Sequence, residues 1–305
     1  MKELPIPTFD LSPRKIRLIP LLLRQRLRRP GFAANANVPL PLVPSMPEPI
    51  AKPIQTKAPA DSEGTRLDVR WARHLDEIRD AQRLRYEVFS EEMGATLSGP
   101  VPGHDIDRFD DFCEHLLVRD ADTGLAVGTY RVLTPVQAQR AGSLYSDAEF
   151  DLTPLDHLRP HLVEVGRSCV HADYRSGAVI MALWGALAAF MRDNQLDTMI
   201  GCASIPMRHN GLPAGHAAAS IWEQVRTQYL ADPQYHVTPR LPLPVDALRN
   251  DAEVEPPALI KGYLRLGTKV LGAPAWDPEF NSADLPMMLR VADLPARYRK
   301  RFMEG

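Results

Sequence analysis

Residues 163–170, Val-Glu-Val-Gly-Arg-Ser-Cys-Val, form an apolar, β-branched run that carries Glu164 and Arg167 at its centre. A charge inside a strand is costly unless it is paired or hydrogen-bonded. Strand side chains alternate, so residues three apart point to opposite faces. A bulge at Gly166 would insert one residue and bring both charges to the same face. The pair then reads either as a carboxylate and a guanidinium aimed at a substrate, or as a structural ion pair buried in the sheet. Arg131 in Gly128-Thr-Tyr-Arg-Val132 repeats the pattern, and Asp107 and Asp110 stand three apart just before a strand. Each alone is an ordinary satisfied charge. Together they are a set of Arg, Asp and Glu in β-runs that must find partners or ligands.

A second feature follows the strand. Arg175-Ser176-Gly177-Ala178 sits at a strand-to-helix junction, where unpaired backbone N–H groups and the helix dipole favour an anion such as phosphate. The alternative is a plain turn with a glycine. Other chemistries lack their signatures: there is no GxSxG, HExxH, GxxxxGK[ST] or GxGxxG. No metal site is readable. His157 and His161 are four apart with Pro160 between them, and Cys169 reads as a small core residue rather than a nucleophile.

The elements that would position these residues begin at Arg66. Leu67–Trp71 alternates as a strand, and Leu75, Ile78, Ala81, Leu84 and Val88 mark a helix that places Arg85 and Phe89 on one face. A polar loop spans 105–111, and 115–119 and 126–132 form a hairpin around Asp-Ala-Asp-Thr-Gly. After an irregular segment come the charged strand, an apolar helix over 179–191, a strand over 197–205 and a helix over 216–230. Residues 263–271 and 287–291 are assigned as further strands. The pattern predicts an α/β fold with a mixed sheet flanked by helices.

Residues 1–65 differ. Twelve of the 29 prolines fall within the first 60 residues, which argues against helix or central strand and for an extended, disordered tail. Within it, residues 14–31 combine seven basic residues with Leu and Ile. That segment reads as an attachment to an anionic membrane surface or to an acidic protein, or as a plain disordered basic tail; its apolar core is short for a signal peptide. A net charge of −2 argues against a protein whose main partner is nucleic acid. The three cysteines make no CxxC pair and fit a reducing, cytoplasmic setting.

The series Arg85-Tyr-Glu-Val-Phe89, Asp107-x-x-Asp110, Gly128-Thr-Tyr-Arg131 and Glu164-Val-Gly-Arg167 resembles the acyl-homoserine-lactone synthases. With Tyr174-Arg-Ser-Gly177, Cys202-Ala-Ser-Ile-Pro206, Leu259-Ile-Lys-Gly-Tyr-Leu-Arg265, Pro274-Ala-Trp-Asp277 and Phe280, it resembles still more the bacterial L-ornithine Nα-acyltransferases. Both belong to the GNAT-like acyltransferases, and the resemblance covers roughly residues 70–303. It implies a GNAT-like domain over 66–305 with a family-specific C-terminal extension. It also implies transfer of a 3-hydroxyacyl chain from the phosphopantetheine of acyl carrier protein to the α-amine of L-ornithine, with no bound cofactor. Glu164 would be the general base beside Arg167. Arg85, Phe89, Asp107, Asp110 and Arg131 would serve the substrate, with Arg131 or Arg167 on its carboxylate. Cys169 and Val170 would supply oxyanion N–H groups, and Arg175–Ala178 would hold the phosphate. The expected place of work is the cytoplasmic face of the inner membrane. Rival readings are an N-acyl synthase for another amino acid such as glycine, a lactone synthase using S-adenosylmethionine, and a silent lipid- or carrier-protein-binding module.

Overall fold

The apolar runs become the strands of one mixed sheet. The computed structural model describes residues 66–303, so the expected tail over 1–65 lies outside the described residues. Strand β1 (Leu67–Trp71) leads into helix α1 (Leu75–Tyr86), which continues as a π-helical segment, Glu87–Glu92. The hairpin β2 (Glu114–Asp120) and β3 (Ala126–Leu133) follows. Its turn is fixed by the Asp120 carboxylate, which accepts from the N–H groups of Asp122 and Thr123. Helix α2 (Pro135–Ala141) and β4 (Phe150–Asp151) precede the charged strand β5 (Leu162–Val170). Then come α3 (Ala178–Asp193), β6 (Thr198–Pro206), α4 (His216–Tyr229), β7 (Thr238–Pro239) and α5 (Ala258–Arg265). The chain closes through β8 (Lys269–Val270), β9 (Ala275–Asp277), β10 (Ser282–Arg290) and α6 (Ala296–Met303).

The sheet order is β1-β2-β3-β5-β6-β10-β8, with β9 also on β10, while β4 and β7 pair separately. Period-2 alternation sorts the side chains into two layers. On one face Val118, Tyr130, Val132 and Val163 pack under Leu183, Leu187 and Phe190 of α3, while Ile205 and Leu285 pack against Ile221 of α4 and Ile260 of α5. The other face buries Leu133, Leu162, Ile200 and Met288 against Phe150, Leu155 and Tyr235. Helix α1 covers its far end, with Ala81 on Leu117 and Leu84 beside Cys169.

The feature that shapes the site is the junction of β5 and β6, the one parallel pair in the sheet. They run in register only from Leu162–Glu164 against Thr198–Ile200 and then part. At the parting, a Cβ on Gly201 would meet the Val165 carbonyl oxygen at 2.3 Å, so only glycine fits. Beyond it β6 stays paired with β10 through Pro206, and Ser204, in mid-strand, is exposed.

Two sequence expectations change. Residues 263–271 are not one strand, and only Lys269–Val270 pairs as such: Ile260 and Leu264, four apart, bury one stripe of α5, and Gly267 at φ 90° turns the chain before the short β8. The irregular stretch after β3 contains α2, whose Thr134 cap, Pro135 and left-handed Gly142 are ordinary helix punctuation.

Candidate functional site

The charged strand does contain a bulge, one residue later than expected. Gly166 pairs regularly with Arg131, and the register shifts between there and the Thr129–Cys169 pair. Tyr130 therefore faces two residues, Arg167 and Ser168, and Arg167 takes a left-handed φ of 49°. That conformation costs a non-glycine residue roughly 1–2 kcal/mol, and here it swings the guanidinium to the side occupied by Glu164. Register partners share a face, so His115, Arg131 and Glu164 line up across β2, β3 and β5. Cys202, Ser204 and Asp284 continue the row on β6 and β10.

Over one end of this row lies a closed ring of alternating charge. Arg85 Nε donates to Asp105 Oδ2 at 2.8 Å, and its Nη2 to Asp110 Oδ1 at 2.9 Å. Arg131 donates to Asp107 at 2.6 Å and lies 3.5 Å from Asp110. Arg167 closes the circuit to Asp105 and Asp107, each at 3.1 Å. Each arginine touches two aspartates, and each aspartate two arginines. Arg85 is fully buried, and Arg131 and Asp105 nearly so. Although burial opposes it, the charges of Arg131 and Arg167 hold the Asp107 carboxyl below the usual range. His115 closes the end of the set, its Nε2 3.0 Å from the Asp110 carbonyl, and burial pushes its pKa down. Asp105, a loop residue between His104 and Ile106, belongs to this set as fully as Asp107, yet only the tertiary contact reveals it.

Glu164 does not pair with Arg167. Its Oε1 accepts from the Ser146 N–H at 2.8 Å and the Ser146 hydroxyl at 2.5 Å, and its Oε2 from the Tyr145 N–H at 2.5 Å. It thereby ties the 144–146 turn to the sheet. Burial raises its pKa against the pull of these donors. A carboxylate offers about four acceptor positions, so one remains.

The solvent-open pocket beside these residues is lined by Asp105, Asp107, Phe109, Tyr145, Arg167 and Glu279. Arg167 stacks over the rings of Phe280 at 4.4 Å and Tyr145 at 4.9 Å. Phe89 supports Phe280 edge-on at 5.7 Å. Of the two arginines suggested for a substrate carboxylate, Arg167 lines the pocket, whereas Arg131 is sealed behind Asp107.

Backbone polarity completes the site. His171 N–H bonds to the Val127 carbonyl at 2.9 Å. By the alternation of an antiparallel ladder, Cys169 is then a hydrogen-bonded partner of Thr129, and Val170 turns its N–H and C=O away from β3, towards the parted seam. The Val170 carbonyl accordingly accepts from Arg175 Nε at 3.0 Å. Arg175 also reaches Glu92 at 2.6 Å. Gly177, at φ 104°, precedes α3 with no side-chain cap, so the turn Arg175-Ser176-Gly177-Ala178 leaves the first helical N–H groups open to an anion.

Sequence reasoning did not single out a second acidic group. Glu149, Cys202 and Asp284 bring ligand atoms within 4.8 Å of one another, and Asp277, opposite Ser282 in register, adds a third carboxylate nearby. Asp284 shows the signal that exposed Glu164, an acid within an apolar strand; Glu149 shows none.

Residues 84–185 match the acetyltransferase (GNAT) domain family. An L-ornithine N(alpha)-acyltransferase of Brucella abortus is 36% identical over 248 residues, covering 76% of this chain and 87% of that protein. One of Rhodobacter capsulatus is 36% identical over 256 residues, covering 78% and 96%. The solved N-acyl amino acid synthase FeeM, from uncultured soil microbes, is 13% identical with a TM-score of 0.49, over 78% of this chain and 99% of that one. So distant a likeness bears no weight on chemistry.

Proposed function

The chain belongs to the L-ornithine Nα-acyltransferase family, and from that premise we propose that it moves a 3-hydroxyacyl chain from acyl carrier protein to the α-amine of L-ornithine, giving lyso-ornithine lipid. The observation that carries the reading is the parted β5–β6 seam, flanked by an outward-facing Val170 N–H and opening beside the Arg167 pocket. A thioester laid in that seam presents its carbonyl oxygen to Val170 N–H, and its phosphate to the turn Arg175–Ala178. Arg167, already oriented by two aspartates and two aromatic rings, receives the acceptor carboxylate.

The step is a direct acyl transfer. The neutral α-amine attacks the thioester carbon, and the oxyanion is held by Val170 N–H rather than by the paired Cys169. The C–S bond breaks, and the pantetheine thiolate leaves and takes up a proton. Glu164 accepts the amine proton through a water at its remaining acceptor position, its raised pKa bringing it nearer the working range of a base. Arg85, Asp107, Asp110 and Arg131 hold the site in shape, and Phe89 backs the aromatic wall. Among the described residues no helix is long and apolar enough to cross a membrane. The basic segment 14–31 would hold the enzyme to anionic lipid, each basic residue contributing about 1 kcal/mol.

Purified protein given 3-hydroxyacyl carrier protein with ornithine, glycine or S-adenosylmethionine tests the reading. Mass spectrometry should find Nα-acylornithine as the main product; an acylglycine or a lactone in its place overturns it. Glu164→Gln at saturating donor should lower turnover by about 10²-fold, and unchanged turnover removes Glu164 as base.

A further inference from the structure

The ring around Arg167 leaves no acid free for a cationic ligand, but the second acidic group does. Asp284 is 4% exposed and Asp277 9% exposed. Asp277 Oδ1 accepts from the N–H groups of Glu279 and Phe280, and Asp284 Oδ1 from the Ser282 hydroxyl. Both oxygens of Glu149 are shut off from solvent and make no well-aligned hydrogen bond, with only looser contacts from the Cys202 thiol and the Tyr145 hydroxyl. No Lys, Arg or His among the described residues forms an ion pair with any of the three. A buried carboxylate without a charged or well-aligned donor is a rare and costly object. Its burial, with Asp284 and Asp277 close by, pushes the Glu149 carboxyl up, as burial and Asp277 push up Asp284.

The group is placed to meet the acceptor. Ser146 links it to the catalytic strand, giving its hydroxyl to Glu164 and standing 3.3 Å from Cys202 Sγ. Ser204, in register with Asp284, is exposed where the seam is open. Asp284 also feels the charge of Arg167, so the two groups lie within electrostatic reach of each other.

We propose that Glu149, Asp284 and Asp277 form the pocket for a side-chain ammonium of the acceptor, the δ-ammonium when the acceptor is ornithine, and that this pocket selects diamino acids over apolar ones. The inference rests on the reading of ornithine as acceptor. Arg167 takes the carboxylate at one end, the acid group takes the distal cation at the other, and the α-amine lies between them near Glu164. The cation supplies the charged donor that Glu149 lacks.

The test compares L-ornithine with L-norvaline, which lacks only the δ-amine, in the wild type and in Glu149→Gln and Asp284→Asn, by kcat/KM and by calorimetry. The wild type should prefer ornithine by at least about 10²-fold. Each variant should lose at least about tenfold of that preference through KM for ornithine while retaining its rate on norvaline. An unchanged preference in both variants overturns the pocket, as does wild type that uses norvaline equally well. Stoichiometric metal, found by elemental analysis and lost in Glu149→Gln, overturns it in favour of a metal site. If the wild type acylates neither amino acid, the acceptor reading fails on its own. Calorimetry then decides the pocket: wild-type binding of ornithine but not norvaline, abolished in Glu149→Gln, upholds it, and no such difference overturns it.

Discussion

Two buried groups of acids sit on the same face of one sheet and are built to opposite rules. In the first, Asp105, Asp107 and Asp110 alternate with Arg85, Arg131 and Arg167, and every carboxylate touches two guanidiniums. In the second, Glu149, Asp277 and Asp284 have no basic side chain in ion-pair contact among the described residues, and Glu149 makes no well-aligned hydrogen bond. In the first group every charge meets its opposite in the free protein, although Arg85 Nη1 has no hydrogen-bond partner, and the group serves as a rigid wall. The second is incomplete, so the charge it lacks must arrive with a ligand or its acids must hold protons. A buried acid is thus read by what it lacks as much as by where it lies.

The contrast breaks most visibly when one acid of each group is made an amide. Asp105→Asn should cost about 3–5 kcal/mol, because two buried arginines each lose a charged partner; urea unfolding checks it, and a loss below 1 kcal/mol would mean that the ring is dispensable. Glu149→Gln should shift stability the other way, a gain of about 1–3 kcal/mol at pH 8, by removing a buried carboxylate that no charged donor serves. The pH dependence gives the sign independently. Glu149 has a folded pKa of about 9, above its unfolded value, so its contribution to stability is fully present below the unfolded pKa. That contribution is lost as pH rises towards 9. The wild-type Tm should therefore fall between about pH 5 and 9, and Glu149→Gln should flatten the slope. The smallest effect belongs to the link between the groups. Ser146→Ala leaves Glu164 with only its two backbone donors and should cost about 1–2 kcal/mol, seen as a lower urea midpoint.

Much of this was legible in the sequence. The strand of Glu164 and Arg167, the hairpin before it and the apolar helix after it follow from alternation, turn chemistry and composition, all local signals. The GNAT-like α/β fold stands. The roles within the site were less legible, because they depend on contacts between distant segments. Glu164 and Arg167 look like a pair on the page, yet Glu164 faces the 145–146 turn and Arg167 the 105–107 loop. Gly166 looks like the bulge, but the left-handed residue is Arg167, held there by four tertiary partners. Asp105 and Glu149 sit in loops of ordinary composition, where no period marks them. The α5 region was misassigned because Leu, Ile and Tyr in a short run suit a strand as well as a helix.

The closed ring also bears on how the chain reaches its native state. Its six members come from α1, the 105–110 loop, β3 and β5, so no two or three of these segments complete it. Any partial assembly that buries the region leaves a naked charge, whose removal from water nothing repays. The ring therefore acts as a checksum on assembly: compact states in which one segment is missing or out of register are penalised, and only the full set of four is admitted. Hydrogen exchange should find the amides of α1, β3 and β5 opening together, as one cooperative unit.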